Sequence, residues 1–413
     1  MSKHTDKRGV SGAGRRPGTY RVLLVLLALL AVVGLAACGS SGSSTDAEGS
    51  GSSETSSSGG TSESTDSGEA GGDPVSEAKE RLQTAMAEPE WKQPGPAFDA
   101  GKVQGKKVLF IGVDSSIPVV QTMYKAFAEA AKEVGMQVNE FDGKGQVSEF
   151  NRGMETAISQ NYDAVVLLSI SPELVAGAVA DAERAGVKVI EAINGDPGKV
   201  QIPGVSASVS FCYSCAGKQM ADYVIADSGG DANGAIFVSE EVTSGTDEVK
   251  GLMGEFGELC AECKFDTKNV PIAEWSKNLP TLTRSTLLSN PQTNYLIPLY
   301  DGMAISIVPA VLQANKPEVK VVSFNATPSV MEMMNEGEVM AADVGGANVW
   351  LGWGLADQTF RVLAGVAPVK DENIPLRTFT KENLDAIDLG GPEVDWYGKA
   401  DFKANYKKLW KIG

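Results

Sequence analysis

The sequence predicts an α/β protein made of two similar lobes, each a parallel sheet flanked by helices. Three observations carry this. Short, nearly continuous apolar runs recur, as in 107–113 (K-V-L-F-I-G-V) and 164–169 (A-V-V-L-L-S), which is how a strand buried on both faces reads. Segments of helical length separate them, with apolar residues every three or four positions. The alternation starts afresh after about residue 210, giving two series of about 100 and 135 residues. Strands alternating with helices imply βαβ units with right-handed crossovers.

In chain order, the strand at 107–113 is followed by a helix whose stripe is Val119, Val120, Met123, Ala126, Phe127, Ala130, Ala131 and Val134, stopped by Gly135. A strand opens at 137–141, a helix near 147–160 leads to the strand at 164–169, and a helix from Pro172 ends at Ala185-Gly186 before a strand at 187–193. The second series has strands at 235–239, 264–267, 295–299, 319–324 and 339–344, each preceded by a helical pattern.

Open parallel sheets bind ligands beyond the carboxyl ends of their strands. Here those ends are polar or helix-breaking: 114–118, 169–172, 194–197, 239–246, Tyr300-Asp301 and 325–328. None holds a G-x-G-x-x-G or G-x-x-x-x-G-K-[ST] loop, so a nucleotide cofactor is unsupported. No cofactor of any kind is expected. The ends also lack a dense basic cluster, which disfavours strongly anionic ligands.

The amino terminus assigns the compartment. Lys3, Lys7, Arg8, Arg15, Arg16 and Arg21 precede an unbroken apolar run at 22–33, and small residues lead to Cys38. A basic stretch, a short apolar core and a small-residue site form an export signal, and the core is short for a membrane span. Leu35-Ala36-Ala37-Cys38 resembles the bacterial lipobox, which implies cleavage after residue 37 and lipidation of Cys38. Arg15-Arg16 leaves the export route open. Residues 39–73 hold only Gly, Ser, Thr, Ala, Glu and Asp, seven of them acidic. Such a segment cannot bury a core. As a flexible coil it would span roughly 30–35 Å, a tether between membrane and folded body. The protein is therefore expected outside the cytoplasm, lipid-anchored to the cell membrane.

Without residues 1–37 the chain keeps 30 basic and 52 acidic residues, a net −22. That argues against nucleic acid or an anionic bilayer surface as partner. The one histidine, His4, leaves with the signal, removing imidazole-based catalysis and the common zinc sites together. Four cysteines remain besides Cys38, as Cys212/Cys215 and Cys260/Cys263. Two C-x-x-C pairs can make a four-thiolate zinc site, but 44 residues lie between Cys215 and Cys260, more than the usual spacing. Outside the cytoplasm disulfides are the default, and the alternating lobes separate the pairs, so the bridges are expected within each pair and no metal is expected.

The run N-Y-D-A-V-V-L-L-S at 161–169, A-E-R-A-G-V-K-V-I at 182–190, A-G-K-Q-M-A-D-Y at 216–223, D-G-M-A at 301–304 and V-S-F-N at 322–325 lie in an order and spacing that resemble the sugar-type periplasmic binding proteins of ABC transporters, the ribose/galactose class. The resemblance covers about residues 105–370. It implies a type I periplasmic binding protein fold: two Rossmann-like lobes joined by a three-segment hinge, with crossovers near 209, 346 and 373. The implied organisation is a signal peptide at 1–37, a tether at 38–73, a helix and lead-in at 74–105, an N-lobe of 106–209 plus 347–373, a C-lobe of 210–346 and a strand/helix tail at 374–413. The N-lobe would recover the helix at 348–366 and a later strand, and residues 406–410 would form a helix packed on the body.

Carried over position by position, the resemblance implies ligand contacts from Asp114, Ser115 and Ser116, from Asn194, from Tyr213 near the first crossover, and from Glu248, where sugar binders usually have arginine. Asp301 is the leading candidate, with Tyr300 replacing the family's usual Asn before it. Asn325 stands where Asp is usual, and Gly346 replaces a polar hinge residue. Losing the Arg and one Asp removes two hydroxyl partners; Tyr213, Tyr300 and Trp350 supply aromatic faces. Trp275 is expected to cap its lobe.

The implied function is capture of a small polar, carbohydrate-like solute between the lobes by a monomeric, non-enzymatic protein that hands it to an ABC transporter permease. The alternatives are a sensory receptor that presents its closed form to a signalling partner and, further off, a glycosidase assembled from Asp114, Glu248 and Asp301. A lac-repressor-type regulator shares the fold, but an export signal stands where its helix-turn-helix would be.

Overall fold

The computed structural model describes residues 73–199 and 202–412. The expected signal at 1–37, Cys38 and nearly all of the tether lie outside the described residues. Helix α1 (Pro74–Met86) starts where the Asp73 carboxylate accepts the Ser76 amide and proline occupies the first turn. It buries Ala78, Leu82 and Met86.

The first sheet is made of β1 (Lys107–Gly112), β2 (Gln137–Asp142), β3 (Ala164–Leu168), β4 (Lys188–Ala192) and β5 (Val205–Val209), all parallel in the order β2-β1-β3-β4-β5. Between them run α2 (Pro118–Glu133), α3 (Val147–Ser159) and α4 (Ala176–Ala185). Every side chain of β3 is buried, as its apolar run requires. Strand β5 was not foreseen. Its V-S-A-S-V alternates instead of running apolar, because as an edge strand it buries only Ala207 and Val209.

The second sheet takes the rest: α5 (Tyr213–Ser228), β6 (Asn233–Val238), α6 (Ser244–Leu259), β7 (Lys264–Asn269), α7 (Trp275–Ser289), β8 (Tyr295–Pro298), α8 (Asp301–Gln313), β9 (Lys320–Asn325), α9 (Pro328–Glu336) and β10 (Met340–Gly346). Helix α10 (Asn348–Leu363) follows, then β11 (Leu376–Thr380), α11 (Lys381–Leu384) and α12 (Phe402–Leu409). The strand order is β11-β10-β9-β8-β6-β7.

Helix α10 lies on the first sheet's side: Gly352 comes so close to α2 that a Cβ there would sit 2.8 Å from the Met123 carbonyl oxygen. The later strand differs from expectation. Instead of joining the first sheet, β11 pairs antiparallel with β10, extending the second sheet at its free edge. Its side chains explain the choice. Phe379 is fully buried and meets Tyr397 edge-on at 5.7 Å, and Arg377 donates to the carbonyls of Met86 and Trp396.

Two glycines set how closely α5 and α6 pack. A Cβ on Gly217 would lie 2.0 Å from the Glu248 carbonyl oxygen, and one on Gly251 2.0 Å from that of Ser214. Any side chain at either point forces the helices apart. Cys212 and Cys215, with Cα atoms 5.1 Å apart, open α5. Cys260 and Cys263, 5.3 Å apart, sit beside Gly230, past the other end of that 16-residue helix. A helix of that length spans about 24 Å, so the two pairs do not meet at one metal. Among the described residues no helix is long and apolar enough to cross a membrane.

Candidate functional site

The carboxyl ends of both sheets and the β5–α5 and β10–α10 crossovers meet at one junction. From the second-sheet side come Tyr213 at the start of α5, Ser244 and Glu248 in the first turns of α6, and Tyr300 after β8. Glu248 is fully buried, and neither carboxylate oxygen has a hydrogen-bond partner among the described residues. Burial alone pushes its carboxyl well above the ordinary range. Tyr213 is 5 % exposed, and its phenol is pushed up by burial, then by Glu248 on one side and Glu191 and Asp196 on the other. Tyr300 is raised in the same way by burial, Glu248 and Tyr213, and its hydroxyl too is unpartnered.

Aromatic rings wall the junction. Tyr213 and Phe324 are 5.7 Å apart, and Phe211 meets each of them at 6.2 Å, all edge-on. Phe211 can reach this position because residue 346 is glycine; a Cβ there would strike its ring at 2.7 Å. Trp275 stacks on Tyr300 at 6.3 Å while its indole N–H donates to the Ser239 hydroxyl and the Val270 carbonyl.

A polar latch holds the two sides together. Lys199, after β4, donates to Asp196 and to Asp247 of α6, 2.8 Å each. The Asp196 amide also donates to Asp247, and Ser214 of α5 donates to Asp196 through both amide and hydroxyl. Against a burial penalty, Lys199 and Ser214 keep the Asp196 carboxyl below its ordinary range. Thr243 donates to the Asn194 carbonyl at 3.0 Å across the same gap. Replacing Lys199 with Met leaves Asp196 and Asp247 facing each other uncompensated. The closed arrangement then weakens, and solute affinity measured by calorimetry is expected to fall about 3–10-fold without loss of fold.

The remaining sequence candidates divide. Asn194 belongs to the junction, its side-chain amide donating to Glu191 at 2.6 Å and to the Ile170 carbonyl. Asn325 ends β9 in a left-handed conformation, φ +133. Asp301 is buried, but its carboxylate accepts the amide and hydroxyl of Thr327 at 2.6 and 2.7 Å, so it fastens the start of α9. Burial, offset by these bonds, pushes it up to about 6. Burial and the neighbouring Asp301 push the Asp343 carboxyl well above its ordinary range. Asp114, Ser115 and Ser116 form a more open turn: Asp114 accepts the Ser116 amide and hydroxyl, which lowers its pKa, and the Ser115 hydroxyl donates to Glu140.

Trp350 does not join the junction. Its ring stacks on Phe402 of α12 at 4.7 Å and on Trp91 at 5.7 Å, because the chain's last residues return to cover α10. Conversely, Asp196, Lys199, Ser214 and Asp247 escaped sequence reasoning; the N-G-D-P turn at 194–197 marked the place but not its partner. Two grooves open outside the junction, the second bordering it at Pro197, Cys212 and Cys215. One of about 430 Å³ has Asn348, Glu393 and Lys403 in its wall, and one of about 780 Å³ has Arg81, Lys218 and Asp222.

Residues 108–367 match the model of a periplasmic binding protein domain. No curated protein sequence matches the chain. Among solved structures, the chain is similar to an ABC transporter solute-binding protein from Agrobacterium vitis with bound allitol, at 18 % identity and TM-score 0.61, covering 69 % of this chain and 98 % of that one. It is likewise similar to a Caulobacter myo-inositol-binding protein, at 22 % identity and TM-score 0.58 over 69 % and 96 %. A 5-methylthioribose transporter solute-binding protein from Thermotoga lettingae gives 16 % identity and TM-score 0.62 over 74 % and 99 %. At these identities the likeness is one of fold.

Proposed function

We infer, starting from the fact that the chain belongs to the periplasmic binding protein family, that it captures a small polar solute between its lobes outside the cytoplasm and delivers it to an ABC transporter permease. The observation that carries this is the buried cluster of Glu248, Tyr213 and Tyr300 at the strand ends. It leaves three polar atoms unpartnered and is shut in by the Lys199 latch. Unpaired buried polar groups are costly unless something satisfies them, and a solute with hydrogen-bonding groups on an apolar frame would do so while the rings pack on that frame. Closure of the lobes on such a solute is the mechanism: the ligand favours the state in which both lobes touch it. The allitol, inositol and methylthioribose bound by proteins of the same fold support a sugar-like solute.

In this reading Glu248, Tyr213, Tyr300, Asn194 and Asn325 meet the solute, Asp114, Ser115 and Ser116 close over it from the first-sheet side, and Asp301 positions the α9 end of the pocket. Cys38 carries the lipid, and the Cys212–Cys215 and Cys260–Cys263 pairs are disulfides that stiffen helix ends. The test is a thermal-shift screen of the purified protein against sugars, polyols and nucleosides, followed by calorimetry. One chemical class should raise the melting temperature with saturable binding. No response to any small solute, together with turnover of a glycoside, would sink the reading.

A further inference from the structure

We propose that the captured solute carries a protonated amine, seated against Glu248 and the rings of Tyr213 and Tyr300. This rests on the solute-binding reading above and narrows it.

The junction holds a buried acid, Glu248, for which no cationic partner stands among the described residues: burial alone acts on its carboxyl. Glu248 is the fully buried member, and both its oxygens lack a partner among the described residues. A hydroxyl network within the protein does not satisfy it, since the nearby Tyr300 hydroxyl is itself unpartnered. Besides burial and the Ser244 hydroxyl, the charged groups acting on Tyr213 and Tyr300 are carboxylates, Glu248 foremost, with Glu191 and Asp196 adding the same sign at Tyr213. The Lys199 ammonium at the junction's edge is spent on Asp196 and Asp247, half exposed. Once ionised, the Glu248 carboxylate only accepts hydrogen bonds. A neutral polyol can donate hydroxyls to it, but only a cation also offsets the charge.

The cation is organic rather than a metal ion. Among the described residues no group of three or more His, Cys, Asp or Glu side chains is placed to hold a metal. The rings beside Glu248 are those of Tyr213, which meets Phe211 and Phe324, and of Tyr300, which is backed by Trp275. Ring faces attract ammonium groups and pack against their carbon substituents. Gly245 lets the Tyr300 hydroxyl come close to the start of α6, since a Cβ there would sit 2.8 Å from it. A buried carboxyl beside aromatic walls, ionised when an ammonium is seated against it, matches an alkylammonium head on a polar or ring-shaped body.

The experiment uses matched pairs on the full chain purified in detergent: glucose against glucosamine, myo-inositol against a monoamino-inositol, and glycerol against 2-amino-1,3-propanediol. Calorimetry should find at least one amine bound about tenfold or more tighter than its neutral twin. Glu248→Gln, checked for fold by circular dichroism, should bring that pair within about threefold. A neutral twin that binds as tightly as its amine overturns the inference and leaves the solute-binding reading standing. A preference that survives in folded Glu248→Gln overturns the assignment to Glu248. If Glu248→Gln does not fold, the paired affinities of the unaltered protein decide alone. Failure of every member of both series, in a protein that also ignores the wider sugar and nucleoside screen, overturns the solute-binding reading itself.

Discussion

Glu248→Met is expected to raise the melting temperature of the ligand-free protein at pH 7.5 and to abolish solute binding. Methionine fills the same volume without a carboxyl that must be desolvated. The folded-state pKa of Glu248 lies above its unfolded value because burial penalises the charged form. Between those two values the unfolded chain binds fewer protons than the folded one, so stability declines as pH rises through the window. The carboxyl can always escape by taking up a proton. Its cost is therefore limited to about 1.4 kcal/mol for each pH unit above the ordinary carboxylate value, or about 4 kcal/mol at pH 7.5. A gain of up to that amount for the Met variant follows, and it should shrink toward zero near pH 4.5. Scanning calorimetry at the two pH values checks both halves. A lower melting temperature at pH 7.5 would mean that Glu248 has partners that stabilise its charge. A binding protein made more stable by losing its ligand contact is the trade expected where a pocket holds unsatisfied groups ready for a solute.

Trp410→Ala is expected to cost about 3–5 kcal/mol, read as a fall in the urea midpoint with an unchanged slope. Trp410 is fully buried; it stacks on Trp353 at 5.4 Å, meets Phe360 at 4.9 Å, and donates its indole N–H to Asp357 at 2.7 Å. Removing it leaves a cavity and strips a partner from a buried set of charges. In that set Asp357 is paired with Arg361, and Glu372 accepts the Tyr406 hydroxyl. Burial and the Asp357 charge already push the Glu372 carboxyl well up, so the set has little tolerance for a lost donor. Residues 402–412 should also become accessible to protease in the variant. A change below about 1 kcal/mol would mean that the tail is not integral to the first-sheet lobe.

The fold was legible where one physical signal dominated. Buried parallel strands such as β3 carry unbroken apolar runs, and the α2 stripe marks one helix face, so both could be read from residues alone. Strand β5 was not, because an edge strand with serines at alternate positions resembles a loop. Nor does L-R-T-F-T at 376–380 say which sheet it joins or in which direction, since a strand's neighbours come from the whole chain's packing. The site was legible in part. Polar strand ends pointed to Tyr300 and Asn194, but their nearness to Tyr213 and Glu248 depends on two crossovers that no local pattern reveals. Asp301 reads equally well as a ligand group or as a helix fastener, and its bonds go to Thr327. Trp350 follows a strand end like the other candidates; what covers it is a helix 50 residues further along.

Helix α1 has a mechanical implication. Arg81 ties it to Glu255 and Glu258 of α6, and it packs along α5 beside β11, so the chain enters the folded body through the second-sheet lobe. If Cys38 is fastened to a membrane, that lobe is the stator and the first-sheet lobe the moving jaw. Opening would then swing Asp114 and Asn194 away from a Glu248 that stays put, and a permease would meet a solute presented from the stationary half.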